Sequence, residues 1–247
     1  MLCYIRLRMQ VESALFFESP FESPTDICAR VFRQLKPRTP VPSLHVEFCR
    51  FANANSIVRL RNGRLEVRVT DVLRDAPAPV IEALAVILIS KLYGKTAPRS
   101  YLHRYRLYLN RKDVRQQVAK VRQSRGHKLM TGPEGKCYNL TEIFEEINLR
   151  FFHGLMSRPE LGWSLRASHS TLGHYDPSHH AIILSSLLDR PGVARVAVEY
   201  VMFHEMLHLR YPVEHRGARR CVHTQEFKEA EKAFPRMQEA KAILKNL

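Results

Sequence analysis

The chain has 247 residues and a formal net charge of +15 at pH 7, and 45% of its residues are hydrophobic. This length and composition allow one large domain or two small ones with a real core, and they exclude a disordered chain. The five cysteines are scattered and none forms a Cys-x-x-Cys pair, which argues against a disulfide framework and a zinc ribbon and fits a reducing compartment.

Residues 1–17 are interrupted by Arg6, Arg8 and Glu12, so they lack the apolar core of a signal peptide. The longest apolar run within a helical pattern, residues 83–89, is far shorter than the roughly 20 residues needed to cross a bilayer. We therefore expect a cytoplasmic protein with no membrane contact.

The first predicted strands follow a stretch that three prolines interrupt between residues 37 and 42, where we expect extended or looped chain. Residues 56–71 alternate apolar and polar positions on both sides of Asn62 and Gly63. Because Asn-Gly supplies the positive φ angles of a two-residue turn, this segment predicts a β-hairpin at about 56–71. The apolar stretch that follows and ends at Gly94 predicts a buried helix.

The positive charge is concentrated in residues 91–128, which contain 12 Lys and Arg residues and a single acidic residue, Asp113. The segment has a helical pattern and interleaves tyrosines with its cations. One interpretation is nucleic-acid binding, in which the cations neutralise phosphates and the tyrosines stack on bases. The other is a solvated helical face whose tyrosines pack on the core. The tyrosines are Tyr93, Tyr101, Tyr105 and Tyr108, and the candidate nucleic-acid contacts are Arg104, Arg106, Arg111, Lys112 and Arg115.

Glycines and a proline between residues 126 and 135 predict a loop and the main domain boundary. We expect a basic, mainly helical N-terminal region at 1–130 and a second domain at 136–247. In the second domain, Asn139 resembles the cap of a helix whose apolar residues recur at helical spacing. Two or three short strands are expected between residues 161 and 188, and no internal repeat is visible in the sequence.

A helix predicted from about residue 193 to 210 carries His204, Glu205 and His208 in the order HExxH. Histidines four residues apart lie one turn above each other on the same helix face, so both imidazoles can reach one ion. Glu205 is rotated by about 100° from His204, which suits a general base beside the metal. The pattern predicts a catalytic zinc site.

A catalytic zinc needs a third protein ligand and an open coordination position. The metzincin spacing requires Gly at position 211 and His at position 214. This chain has Tyr211 and Glu214 there, which excludes that class. Spacing alone leaves three candidates for the third ligand: His215, His223 and Glu226.

Residues of about 137–235 resemble a SprT-like zinc metallopeptidase domain. The resemblance rests on the strand region with Leu172 and Gly173, on the HExxH helix, and on a later histidine, His223, that is followed four residues on by Phe227. It implies one zinc ion per chain and a peptidase activity. The family includes proteases that act on protein crosslinked to DNA, which makes nucleic-acid binding by the basic segment more attractive.

The resemblance also implies individual roles. Three histidines bind zinc and a glutamate acts as general base, namely His204, His208, His223 and Glu205. In zincins a strand beside the metal cleft commonly pairs with an extended substrate, and the candidate here is the segment near 164–185. Apart from the resemblance, the tetrahedral intermediate needs a hydrogen-bond donor opposite the zinc, and the candidates for this stabilising role are His174, Tyr175 and Tyr211. The alternative for each of them, which we favour, is packing at the surface or in a turn.

The expected fold is α+β and zincin-like, with a small antiparallel sheet packed beside the HExxH helix and a mainly helical N-terminal region that carries the β-hairpin. The expected function is an intracellular zinc metallopeptidase that hydrolyses peptide bonds in protein or peptide substrates, including nucleic-acid-associated proteins. Two alternatives stay open: a nucleic-acid-binding protein with a structural or inactive zinc domain, and a zinc hydrolase of a non-peptide amide. An intact Glu205 favours the enzymes, because a purely structural zinc does not need that carboxylate.

Overall fold

The computed structural model describes residues 22–127 and 129–247. Residues 1–17, on which the expected lack of a signal peptide depends, lie outside these ranges. The described chain contains eight α-helices and three small sheets, so the fold is α+β as predicted. Within the described ranges, no helix combines the length and the apolar character needed to cross a membrane.

The N-terminal half begins with one helix and three strands and continues with three helices. A short 3-10 turn at Asp71–Leu73 separates the strands from the later helices. The elements are α1 (Pro24–Leu35), β1 (Ser43–Cys49), β2 (Ser56–Arg61), β3 (Arg64–Thr70), α2 (Ala78–Leu92), α3 (Arg99–Leu109) and α4 (Lys112–Arg125).

The predicted hairpin is confirmed, because β2 and β3 pair antiparallel. Asn62 and Gly63 connect them with φ angles of 47° and 73°, as the Asn-Gly turn requires. β1 pairs with β3 in parallel, which makes a three-stranded sheet in the order β1-β3-β2. The prolines at 37–42 precede β1 in a turn and an irregular segment, so the expectation of extended or looped chain there holds, although the sequence did not predict the pairing of β1 with β3.

The first hydrophobic cluster is formed by α1, α2 and the buried face of this sheet. Helix α2 is buried over most of its length, and Gly94, with a φ of 63°, follows its end as the apolar stretch predicts. The basic segment forms two helices, α3 and α4, rather than one continuous helix.

The C-terminal half has the same sequence of elements at its start and further elements after its long helix. A 3-10 turn at Ser186–Leu188 follows the strands. The elements are α5 (Leu140–Phe152), β4 (Glu160–Trp163), β5 (Gly173–Asp176), β6 (Ala181–Leu184), α6 (Arg195–Arg210), β7 (Glu214–Arg216), β8 (Arg219–Cys221), α7 (Gln225–Glu231) and α8 (Met237–Lys245). As predicted, Asn139 caps α5, since its side chain accepts a 2.8 Å hydrogen bond from the backbone N–H of Thr141.

The sheet beside α6 is mixed, so the prediction of an antiparallel sheet is wrong. β6 is the central strand and pairs with β5 antiparallel and with β4 in parallel. The short turn at 177–180 forces β6 to run back along β5. The longer connection at 164–172 joins β4 to β5 and lets β5 run in the direction opposite to β4. β6 lies between these two strands and is therefore parallel to β4.

The two three-stranded sheets share one topology. In each sheet the third strand is central, the first is parallel to it and the second is antiparallel to it. Each sheet is preceded by a helix and followed by a 3-10 turn and a long helix. The structure therefore repeats an arrangement that the sequence does not reveal.

Helix α4 connects the two halves through ion pairs to each. Arg125 lies 2.8 Å from Asp71 of the N-terminal half, and Arg122 lies 3.3 Å from Asp176 at the end of β5. His179 also lies 3.1 Å from the Asp176 carboxylate, whose side chain is fully buried. In the sequence, the residues of one hydrophobic cluster precede residues 130–136 and those of the other follow them. The division into two domains stays a prediction.

Candidate metal centre

Three histidines converge at the C-terminal end of α6. His204 and His208 lie one turn apart on this helix, and His223 lies just before the first residue of α7. One nitrogen of each lies within 4.8 Å of the others, and their ring centroids are 5.0 to 5.1 Å apart. Of the three candidates that spacing left open, the structure brings His223 to the pair, whereas His215 and Glu226 lie outside the cluster.

The chain segment after α6 explains how His223 returns to the helix. β7 and β8 form an antiparallel hairpin that reverses the chain, and Thr224 then caps α7 by accepting a 3.3 Å hydrogen bond from the N–H of Phe227. Phe227 is 1% exposed, and its ring centroid lies 4.7 to 5.1 Å from all three imidazoles. The aromatic residue four positions after His223 therefore forms the back wall of the cluster.

A carboxylate that the sequence analysis missed, Glu231 of α7, contacts the cluster. Its Oε1 lies 2.8 Å from Nδ1 of His204 and accepts a 2.7 Å hydrogen bond from the hydroxyl of Tyr200. Burial acts to raise the pKa of Glu231, but the hydrogen bonds from Tyr200 and His204 outweigh it and the pKa is lowered. A carboxylate at Nδ1 fixes the imidazole tautomer that leaves Nε2 free to bind a metal.

The missed residue had a signal in the sequence. His223, Phe227 and Glu231 follow one another at intervals of four, which places Phe227 and Glu231 on one face of α7, next to the histidine that precedes the helix. A search for carboxylates one and two turns after the third histidine would have identified Glu231.

Glu205 is buried between α6 and β5, with 5% of its surface exposed. Gly173 of β5 allows this close packing, because a Cβ atom there would lie 2.7 Å from Cγ1 of Val201 and 3.0 Å from Oε1 of Glu205. Burial raises the pKa of Glu205 to about 7, against a hydrogen bond with the backbone of Tyr175 that lowers it. A carboxyl group with a near-neutral pKa can accept and donate a proton at physiological pH.

The protonation states of the histidines suit a metal ion. Burial, followed by the nearby His204 and His223, lowers the pKa of His208 to about 4. Burial and then His204 lower the pKa of His223. Both imidazoles are therefore neutral at pH 7, the form that ligates metals. Three imidazole donors on one side and an open cleft on the other form the donor set of a catalytic zinc, so these residues fit the ion.

The cluster opens into a cleft of about 560 Å³ between β5, α6 and the β7–β8 hairpin. β5 is an edge strand of its sheet, as the substrate-pairing hypothesis requires. His174 and Tyr175 line the cleft, and the hydroxyl of Tyr175 lies 3.1 Å from Nδ1 of His180. The ring of Tyr211 instead packs near Phe227, with centroids 6.3 Å apart.

The candidate nucleic-acid contacts lie on α3, on α4 and, for Arg111, at the N-cap position of α4. Arg115 is half-buried, whereas the other four are exposed, namely Arg104, Arg106, Arg111 and Lys112. The tyrosines between the cations pack against the N-terminal hydrophobic cluster, and burial raises the pKa of Tyr105 to about 12. The rings expected to stack on bases are therefore turned toward the core, as the alternative interpretation of this segment predicts.

Residues 140–244 match the model of the SprT-like family. This range includes α5 to α7, both strands of the β7–β8 hairpin and all three histidines of the cluster. The predicted resemblance is therefore confirmed for the C-terminal half of the chain. No curated protein and no solved structure gives a significant match to the chain.

Proposed function

We propose that the SprT-like segment is a zinc-dependent metallopeptidase that hydrolyses peptide bonds. The observation that carries this proposal is the cluster of three histidines that opens into a cleft beside a buried glutamate. His204, His208 and His223 would hold one zinc ion per chain. When bound, zinc supplies Lewis acidity, which polarises a carbonyl group and acidifies water.

The residues around the histidines would transfer the proton, orient the general base and hold one ligand in its metal-binding form. Glu205 takes a proton from the attacking water and delivers it to the leaving amine. Its hydrogen bond with the backbone of Tyr175 orients the carboxylate, and Gly173 leaves the space that this carboxylate occupies. Glu231 holds His204 in the tautomer that can bind the ion.

The edge strand β5 supports a role in substrate binding. An extended peptide can add to the unpaired edge of a sheet through main-chain hydrogen bonds. His174 and Tyr175 of β5 line the cleft and are the proposed donors to the oxyanion that forms during hydrolysis. Tyr211 supports the back wall of the cluster instead, because its ring packs near Phe227.

The cysteines support a reducing location for this activity. Four cysteines lie in the described ranges, and all four are free. Free thiols are typical of reducing compartments, so we propose that the peptidase is cytoplasmic.

The test combines metal analysis with degradation of casein, in the presence and absence of DNA, by the full chain and by its Glu205→Gln variant. We expect one zinc per chain in both proteins, because Glu205 is not a ligand. Hydrolysis should fall by about 10²–10⁴-fold in the variant, the usual contribution of a general base. An equally active Glu205→Gln protein would refute the mechanism, and a zinc-free parent would refute the site.

The exposed cations of α3 and α4 favour a second candidate function, nucleic-acid binding beside the peptidase. Lys and Arg side chains on one surface attract the phosphate backbone without any need for aromatic stacking. Affinity for single-stranded and duplex DNA should then fall steeply as the salt concentration rises. If the chain does not bind DNA at low salt, this second function is wrong.

A further inference from the structure

The wall of the cleft contains an arginine that the proposed mechanism does not use. Arg220 belongs to β8, the strand that leads from the hairpin toward His223, and it lines the cleft beside Val213 and Val222. Of the described residues that line this cleft, it is the single Lys or Arg side chain. A guanidinium group therefore lies next to an apolar wall at the opening of the site.

The acidic residues that the structure describes leave the charge of Arg220 unpaired. The acidic residue on the same hairpin, Glu214, is paired with Arg216 at 2.9 Å. Within residues 22–127 and 129–247, no carboxylate forms an ion pair with Arg220. The cleft wall contains one acidic side chain, Glu205, and would also contain the zinc ion. With zinc bound, the ion and Arg220 would together outweigh Glu205 and the nearby Glu231, and this surplus positive charge would favour an anionic substrate.

The hairpin that carries Arg220 is anchored to the N-terminal half. The side-chain amide of Asn110, which follows α3, donates a 2.8 Å hydrogen bond to the backbone oxygen of Gly217 at the hairpin tip. The antiparallel register then places Arg220 opposite His215. The guanidinium is thus attached to a strand whose two ends are both fixed, at Gly217 and at His223, which reduces the cost of ordering it around a ligand.

We infer that Arg220 determines substrate preference by binding a carboxylate of the peptide, either an acidic side chain or the free C-terminal carboxylate. The inference rests on the proposed peptidase function. The planar guanidinium can donate two parallel hydrogen bonds to the carboxylate oxygens. Val213 and Val222 beside it can contact the methylene groups of an acidic side chain.

The experiment measures peptide binding separately from hydrolysis. The zinc-loaded Glu205→Gln protein is added to fluorescent peptides whose other side chains are uncharged. One series contains a single Glu at successive positions, and a matched series contains Gln instead. Each peptide is made with a free and with an amidated C-terminus. Fluorescence anisotropy gives each dissociation constant. We expect about tenfold tighter binding when the carboxylate is present at one position, as for a charge-assisted hydrogen-bonded pair.

The same titration is repeated with Arg220→Gln added and, as the matched control, with Arg219→Gln added. Arg219 is the neighbouring residue of β8, is exposed like Arg220, and does not line the cleft around the histidines. Arg220→Gln should abolish the preference, and Arg219→Gln should keep it. Zinc content should be equal in both variants, which separates a lost carboxylate contact from a damaged metal centre.

The outcomes separate this inference from the function on which it rests. Equal affinity for Glu and Gln peptides and for both C-termini would overturn the role of Arg220, even if casein is degraded. Failure of every peptide to bind would overturn it as well. A preference removed by Arg220→Gln, in a chain that hydrolyses no peptide when Glu205 is intact, would overturn the peptidase proposal and leave the carboxylate site standing. Loss of the preference on amidation or on Glu-to-Gln exchange identifies which carboxylate is bound.

Discussion

The two halves of the described chain start from the same arrangement and use their second helix differently. Both halves have a helix, three strands, a 3-10 turn and a long helix in that order, with the same strand directions. Helix α2 is apolar on nearly every face and fills the N-terminal core. Helix α6 packs one side on the C-terminal core and presents histidines to a cleft on the other.

The C-terminal ends of the two helices can be compared position by position. A tyrosine follows each helix as its C-cap residue, Tyr93 after α2 and Tyr211 after α6. Counting back from these tyrosines, the residues of α2 that correspond to His204, Glu205 and His208 are Val86, Ile87 and Ser90.

The difference shows that this arrangement of strands and helices does not by itself make a metal site. Polar groups on a buried helix face destabilise a fold unless each has a partner. In α6 the partners are supplied by later elements, since His223 lies two residues before α7 and Glu231 lies on it. Helix α2 is followed by α3, whose tyrosines continue the apolar packing. The site therefore depends on the elements after the long helix as much as on the helix itself.

The largest effect, the loss of stabilisation by zinc, is expected when the two histidines of α6 are replaced by the corresponding residues of α2. In a His204→Val, His208→Ser double variant, two of the three imidazole donors are lost. Zinc at 100 times its dissociation constant should stabilise the parent by about 2.7 kcal/mol, and it should not stabilise the variant. Thermal unfolding with and without zinc measures this, and circular dichroism should show a folded variant.

His215→Ala is the control for this substitution, because His215 lies outside the cluster. Its zinc-dependent stabilisation should equal that of the parent. If zinc raised the unfolding temperature of the double variant as much as that of the parent, the ion would have to bind elsewhere. The contrast between α2 and α6 would then have no functional meaning.

A smaller effect, on stability and on the rate of hydrolysis, is expected when the first residue of the edge strand β5 is exchanged for the first residue of the edge strand β2. β2 begins with Ser56 and β5 begins with Gly173, each beside the long helix of its half. In Gly173→Ser the new side chain would meet Val201 and Glu205, so we expect a destabilisation of about 1–3 kcal/mol from overpacking. Displacing Glu205 should also reduce casein hydrolysis by about 10²-fold per folded molecule. Urea unfolding and initial rates measure the two effects.

Gly132→Ser is the matched control, because no atom of the described residues, apart from its chain neighbours, lies within 4 Å of the Cβ position at Gly132, and its φ angle is not positive. This variant should keep both stability and activity. A Gly173→Ser protein that is destabilised but fully active per folded molecule would show that the position of Glu205 does not limit the reaction.

The parts of this structure that the sequence predicts are those that depend on local signals. The Asn62-Gly63 turn, the Asn139 cap and the histidine spacing on α6 each involve a few neighbouring residues. The parallel pairings of β1 with β3 and of β4 with β6 depend on contacts between distant segments, which periodicity does not encode. The same distinction applies to the site.

Within the site, spacing left the third ligand undecided among His215, His223 and Glu226, and the resemblance to a family selected His223. Its place in the cluster depends on the β7–β8 hairpin, which the sequence analysis did not predict. The four-residue spacing from Phe227 marks Glu231 as a candidate, but its contact with His204 exists only once α7 packs against α6. Non-local packing, rather than residue chemistry, limited what could be predicted.

The smallest effect, a weaker affinity for zinc, is expected when the contact between Glu231 of α7 and His204 of α6 is changed. Glu231→Gln removes the charge beside Nδ1 of His204 and lets an amide N–H compete for that nitrogen, so the metal-binding tautomer is less favoured. Zinc affinity should fall by about 10-fold to 100-fold. Competition with a chromophoric chelator measures the change.

Glu229→Gln is the control for this contact, since Glu229 lies on the same helix, is exposed, and pairs with Lys232 at 3.0 Å. It removes the same charge from α7 without touching His204, so zinc affinity should be unchanged. Equal weakening by the two substitutions would mean that the overall charge of α7 attracts the ion. A loss confined to Glu231→Gln would assign the effect to the hydrogen bond at Nδ1, and hence to the packing of α7 on α6 that the N-terminal half does not reproduce with α2 and α3.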